Sequence, residues 1–112
     1  MKGQALKGHL DLLLLAVVSD GPKHGYAVIE ELKVRSGDVF DLPEGTVYPA
    51  LHRLERSGYL KSEWTVGSGR RRRNYSLTKK GKRAAGEQHQ SWDEFTTAVT
   101  GVLRSAQWAP TT

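Results

Sequence analysis

The stretch from Leu6 to Ser19 leaves this chain few ways to fold, because Leu6, Leu10, Leu12, Leu13, Leu14, Leu15, Val17 and Val18 cover nearly the whole circumference of a helix. Such a helix needs apolar partners on more than one side. Its most apolar part, Leu10 to Val18, is interrupted by Asp11, is too short to span a bilayer, and has no small-residue cleavage site after it. It therefore reads as a buried helix. Asp20-Gly21-Pro22 ends it, since glycine accepts left-handed geometry and proline cannot continue a helix. With 112 residues the chain has room for one domain and not for a second independent core, so those partners come from a single small fold or from another chain.

Two more helical segments follow. The second begins near His24-Gly25 and runs to Ser36, with Tyr26, Ile29 and Leu32 on one face, Glu30, Glu31, Lys33 and Arg35 turned to water, and Gly37 as its stop. After the link Asp38 to Pro43, a third starts at Thr46 as N-cap, carries Pro49 in its first turn, and continues through Leu51 and Leu54 to Ser57, where Gly58 closes it. The period then becomes alternating. Tyr59 to Val66 predicts a strand, Asn74 to Leu77 its partner, and Gly67-Ser68-Gly69-Arg70-Arg71-Arg72-Arg73 the hairpin loop between them. Thr78 caps a last helix from Lys79 to about Ala106, whose Trp92, Phe95, Val99, Val102 or Leu103, and Ala106 recur at heptad-like spacing. That stripe is exposed unless something covers it. Trp108 to Thr112 reads as a fraying tail.

The expected fold is mainly α with a small two-stranded β wing, a winged helix-turn-helix followed by a C-terminal helix. In that arrangement the third helix enters the major groove of DNA and the wing lies along the neighbouring backbone or minor groove. Val47, Leu51 and Leu54 take the core side of the third helix, which leaves Thr46, Tyr48, Pro49, His52, Arg53 and Arg56 toward solvent or partner. Arg53 suits guanine edges or phosphate, or else pairs with Glu55 or another surface carboxylate. Thr46 and Tyr48 offer hydroxyls to phosphates, with the alternative that Tyr48 is a core ring whose hydroxyl sits at the rim, and His52 suits a base edge or the backbone.

Charge agrees with a polyanionic partner: 17 Lys and Arg face 12 Asp and Glu, a net +5. Arg70, Arg71, Arg72 and Arg73, with Lys79, Lys80, Lys82 and Arg83, place eight basic residues in fourteen positions. Such a run is either a solvated surface or a set of phosphate and minor-groove contacts, and its place after a third helix favours contact. The chain has no cysteine, so disulfides and thiolate metal sites are excluded and a reducing cytoplasm suits it. His9, His24, His52 and His89 are scattered with no metal-ligand or catalytic spacing, so neither an enzyme nor a metal or cofactor protein is expected.

The stretches His24-Gly25-Tyr26, Gly45-Thr46-Val47-Tyr48-Pro49-Ala50-Leu51-His52-Arg53-Leu54-Glu55, Gly58-Tyr59-Leu60 and Arg73-Asn74-Tyr75-Ser76-Leu77-Thr78-Lys79-Lys80-Gly81 resemble the PadR family of bacterial transcriptional regulators, with compatible spacing from Leu10 to Gly81. The wing is richer in arginine than the family's usual Gly-Arg-x-Arg pattern, and Gln88 to Ser91 dilute the last helix. The resemblance implies a homodimer, usually a repressor of a nearby operon released by a small molecule, with the single last helix packed on the first helix of the partner. Two apolar faces without a sufficient partner in one chain agree with this. The dimer residues are then Leu6, Leu10, Leu13, Leu14, Trp92, Phe95, Val99, Val102 and Leu103.

In some multidrug-binding members a tryptophan of the last helix lines a flat pocket at the dimer centre, and Ser91-Trp92 resembles that position. Trp92 is a candidate contact for a planar aromatic effector, against the plainer role of packing the dimer core. Residues 1–78 form the expected DNA-binding domain and residues 79–112 the dimerisation helix and tail. The expected partners are a pseudo-palindromic double-stranded operator and a second copy of the chain, with no membrane. The alternative is a winged-helix module for RNA or a protein.

Overall fold

A computed structural model describes residue 6 and residues 8–67 and 69–108. In chain order its elements are α1 (Leu10–Val18), β1 (Lys23–His24), α2 (Gly25–Arg35), α3 (Glu44–Arg56), β2 (Leu60–Gly67), β3 (Arg70–Leu77) and α4 (Lys79–Ser105). The sheet is antiparallel with order β1-β3-β2. Residues 109–112 of the expected tail lie outside the described residues.

α1 starts later than its apolar run suggests. Gly8 and His9 form a turn, and the His9 N–H donates to the Leu6 carbonyl at 2.8 Å, which puts Leu6 before the helix yet still buried. Leu14, Leu15, Val17 and Val18 fill the centre of the core. α2 buries Gly25, Val28, Ile29 and Leu32, an i, i+3, i+4, i+7 set. Tyr26, expected on that face, stands 57% exposed, because the buried stripe is centred on Gly25 and Val28. The helix stops at Gly37, with φ of +61°.

α3 begins at Glu44, with Pro43 in the N-cap position, not at Thr46. The Pro43 carbonyl accepts from Thr46 N–H at 3.0 Å and from Val47 N–H at 3.2 Å, which draws Thr46 into the first turn. Pro49 consequently lies beyond that turn and omits the bond to the Gly45 carbonyl. Both residues are on the exposed face, where that carbonyl is open to solvent. Val47, Ala50, Leu51 and Leu54 face inward. Gly58 (φ +85°) closes the helix in a Schellman motif, with Tyr59 N–H to Leu54 carbonyl and Gly58 N–H to Glu55 carbonyl, both 3.0 Å.

The four consecutive arginines are not a loop. They open β3, in register from Gly67↔Arg70 to Trp64↔Arg73, and the turn shrinks to the residues between Gly67 and Arg70. Arginine's long apolar stem lies well on a pleated surface, and two of these guanidiniums stack on Trp64 of the facing strand, a gain that a loop would lack. β1 is an additional strand, with His24 opposite Asn74. There the Arg72 Nη1 donates to His24 Nε2 at 2.8 Å. Arginine only donates, so this contact requires a neutral imidazole, and burial followed by the nearby Arg72 charge lowers the His24 pKa below its ordinary 6.5.

Thr78 joins the wing to α4. Its Oγ1 accepts from the Gly81 N–H at 3.0 Å and donates to the Gly58 carbonyl at 2.6 Å. A Cβ on Gly81 would overlap the Tyr59 carbonyl oxygen, so the first turn of α4 lies directly on the backbone that follows α3. Lys80 reinforces the joint, donating to the Ser57 carbonyl at 2.8 Å over the Tyr59 ring.

Gly81→Ala is expected to cost about 1–3 kcal/mol by overpacking, whereas Gly101→Ala, in open space on the same helix, should gain about 0.5–1 kcal/mol; urea unfolding of both variants checks this. His24 contributes stability that is fully present above pH 6.5 and is lost as pH falls through its lowered folded-state pKa. The wild-type urea midpoint should therefore drop more between pH 7.5 and pH 5 than that of His24→Gln, and parallel pH profiles would refute the linkage.

Candidate nucleic-acid interface

On α3 the direction opposite the core belongs to Gly45, Pro49, His52 and Arg56, with Thr46 and Arg53 on one flank and Tyr48 and Glu55 on the other. Thr46, Pro49, His52, Arg53 and Arg56 are all exposed. Arg53 leans to the α1 side and pairs with Asp11, so of the two roles open to it the ion pair is present, with Asp11 in place of Glu55. Both partners are about half exposed, so the pair is weak and easily exchanged for another anion.

Tyr48 follows the reading of a packed ring with its edge at the rim. Its ring rests on α2 so closely that a Cβ on Gly25 would overlap it, while its edge lines an open cleft between α3 and the wing. Burial, then the Glu44 charge, raises the pKa of its hydroxyl, which stays a protonated donor. The cleft measures about 600 Å³ and is lined by His24, Gly25, Tyr26, Tyr48, His52, Trp64, Tyr75 and Arg70 to Arg73. Tyr48, His52 and the wing arginines thus share one concavity, whereas Thr46, Pro49 and Arg53 sit outside it.

Strand alternation sorts the arginines. Arg71 and Arg73 share a face with Trp64, and Arg70 and Arg72 take the other. The Arg71 guanidinium carbon lies 4.7 Å from the Trp64 ring centroid and that of Arg73 5.6 Å. Arg73 is also fastened to α3: its Nε donates to Ser62 Oγ at 2.8 Å, its Nη2 is 3.6 Å from Glu55 Oε1, and Ser62 itself donates to Glu55. His24, Tyr26 and Trp64 were not expected from the sequence to line this surface. Only strand register with the arginines marks Trp64, and nothing local marks the other two, which arrive through β1 pairing.

A second concavity of about 670 Å³ lies between α1 and α4. Leu6, Leu12, Leu13, Ala16, Phe40, Ala85 and Trp92 supply apolar walls, and His9 meets Trp92 edge-on at 4.7 Å. Beyond it Phe95 (58% exposed), Val99, Val102 (69%) and Leu103 continue uncovered along α4. Leu14 does not belong to this surface: it is 0% exposed, enclosed by the chain's own core, because α1 turns that side toward α2 and α3. Leu6 is nearly enclosed, and Leu10 and Leu13 are half-buried at the margin.

The family model described as the transcriptional regulator PadR-like family matches residues 14–87. Transcriptional regulator Rv3488 of Mycobacterium tuberculosis is 39% identical over 90 residues, covering 80% of this chain and 81% of that protein. Among solved structures, a PadR-like transcriptional regulator from Bacillus cereus superposes with a TM-score of 0.83 at 28% identity, covering 93% of this chain and all of that one. A PadR family transcription regulator from Clostridium difficile superposes with a TM-score of 0.76 at 32% identity over 86% and 99% of the two chains. No helix among the described residues is long and apolar enough to cross a membrane. The winged-helix core, the family match over most of its length and the similarity of whole chains agree, and this chain belongs to the PadR-like family of transcriptional regulators.

Proposed function

We propose that the protein is a homodimeric repressor that binds a pseudo-palindromic operator in double-stranded DNA near the genes it controls. The observation that carries this reading is that Tyr48 and His52 of α3 and the arginine-bearing wing line the same cleft. α3 enters the major groove with Thr46, Tyr48, Pro49, His52 and Arg53 toward bases and phosphates, and the wing follows the adjoining backbone. Residues 1–78 carry this interface, and residues 79–112 carry dimerisation.

The uncovered stripe of α4 and the groove beside α1 favour a second copy of the chain, each α4 covering apolar surface that the other leaves in water. The dimer sets the two α3 helices one turn of DNA apart, about 34 Å. A planar aromatic compound held against Trp92 in that groove is the effector class proposed, and it releases DNA by favouring a dimer geometry that misfits the operator.

Fluorescence anisotropy against a palindromic promoter fragment and an RNA hairpin of equal length tests the assignment. The protein should sediment as a dimer and prefer the duplex, and Arg70→Ala, Arg71→Ala and Arg72→Ala together should flatten the log K against log salt slope by about one unit for each phosphate no longer neutralised. Preference for the hairpin would favour an RNA-binding module. Planar aromatic compounds should perturb tryptophan emission in the wild type and much less in Trp92→Leu, and equal responses would remove Trp92 from the effector site.

A further inference from the structure

We infer that Trp64 is a positioning residue that makes the wing arginines unequal: it holds Arg71 aimed for a phosphate, while Arg73 serves as a strut between wing and recognition helix. This rests on the DNA-binding reading.

A tryptophan 57% exposed on a two-stranded wing adds little to a core that ends at Leu60 and Tyr75. Its ring instead carries two guanidiniums. Arg73 lies directly across the ladder from it, and Arg71 lies diagonally, one pleat further toward the tip. Arg73 has other ties, to Ser62 and to the Glu55 carboxylate of α3, so its charge is met locally and its fork is committed to fixing the wing's angle. Arg71 makes no salt bridge among the described residues, and the Trp64 face is its contact.

Stacking engages the flat face of a guanidinium and leaves its edge N–H groups free to bind an anion. It also removes part of the rotamer freedom that a free arginine would give up on binding. Arg72, on the opposite face, is held by His24. All four arginines line the cleft that Tyr48 and His52 share, and Arg71 is the one that the Trp64 ring holds without a carboxylate or histidine partner among the described residues.

The test measures duplex affinity of the full-length protein across salt concentrations for Trp64→Leu, Trp64→Phe, Arg71→Ala, Arg73→Ala and Trp64→Leu/Arg71→Ala, with melting curves run alongside. Trp64→Leu should weaken binding roughly two- to fivefold at an unchanged salt slope, with Trp64→Phe restoring most of it. Arg71→Ala should lower the slope by about one, and adding Trp64→Leu to it should weaken binding by a clearly smaller factor than Trp64→Leu does in the wild type. Arg73→Ala should leave the slope near wild type while lowering the melting temperature. Additive effects of Trp64→Leu and Arg71→Ala, or a slope reduction in Arg73→Ala equal to that in Arg71→Ala, would overturn the inference while the wild type still binds. Absence of salt-sensitive duplex binding in the wild type would overturn the DNA-binding reading as well.

Discussion

Where the first turn of α4 crosses the chain just after α3, Gly81 lies on the Tyr59 carbonyl with no room for a methyl group, and Thr78 bonds both to the Gly81 N–H and to the Gly58 carbonyl. This contact fixes three directions together. It sets the end of α3, the base of the wing between Leu60 and Leu77, and the line along which α4 leaves the domain. Because a Schellman turn and a side-chain cap satisfy the backbone there, the joint is rigid without a large buried area. The joint lies between the cleft at one end and the bare apolar stripe at the other.

The basic surface is structured rather than diffuse. A run of four guanidiniums in a flexible loop would repel itself, and the sheet relieves that by alternating the arginines between faces and giving three of them partners: Trp64 for Arg71, His24 for Arg72, and Trp64, Ser62 and Glu55 for Arg73. These partners come from β1, α3 and β2, so the positions of the charges report the packing of the whole domain. Gly25 and Tyr48 act similarly, since the absent side chain on α2 is what lets the α3 ring settle between the two helices.

α4 is the unfinished part of the single chain. Of its 27 residues only Gly81 is buried, while Trp92, Phe95, Val99, Val102 and Leu103 stand in water. The molecule extends 58 Å along its longest axis because this helix continues past the domain it starts from. Apolar area of that length is costly to hydrate.

Much of this was legible in the residues themselves. The Gly21, Gly37 and Gly58 stops, the inward Val47, Leu51 and Leu54, the Thr78 cap and the α4 stripe follow from local rules of period and backbone conformation, which act within a few residues. What only the tertiary structure decided depends on strands and helices meeting across the chain. Pairing with β2 turned the arginine loop into a strand, β1 brought His24 to Arg72, and α1 drew Arg53 to Asp11 and enclosed Leu14. The all-round apolar α1 could not by itself say which side was inner, because hydrophobic periodicity locates a face only when the other face is polar.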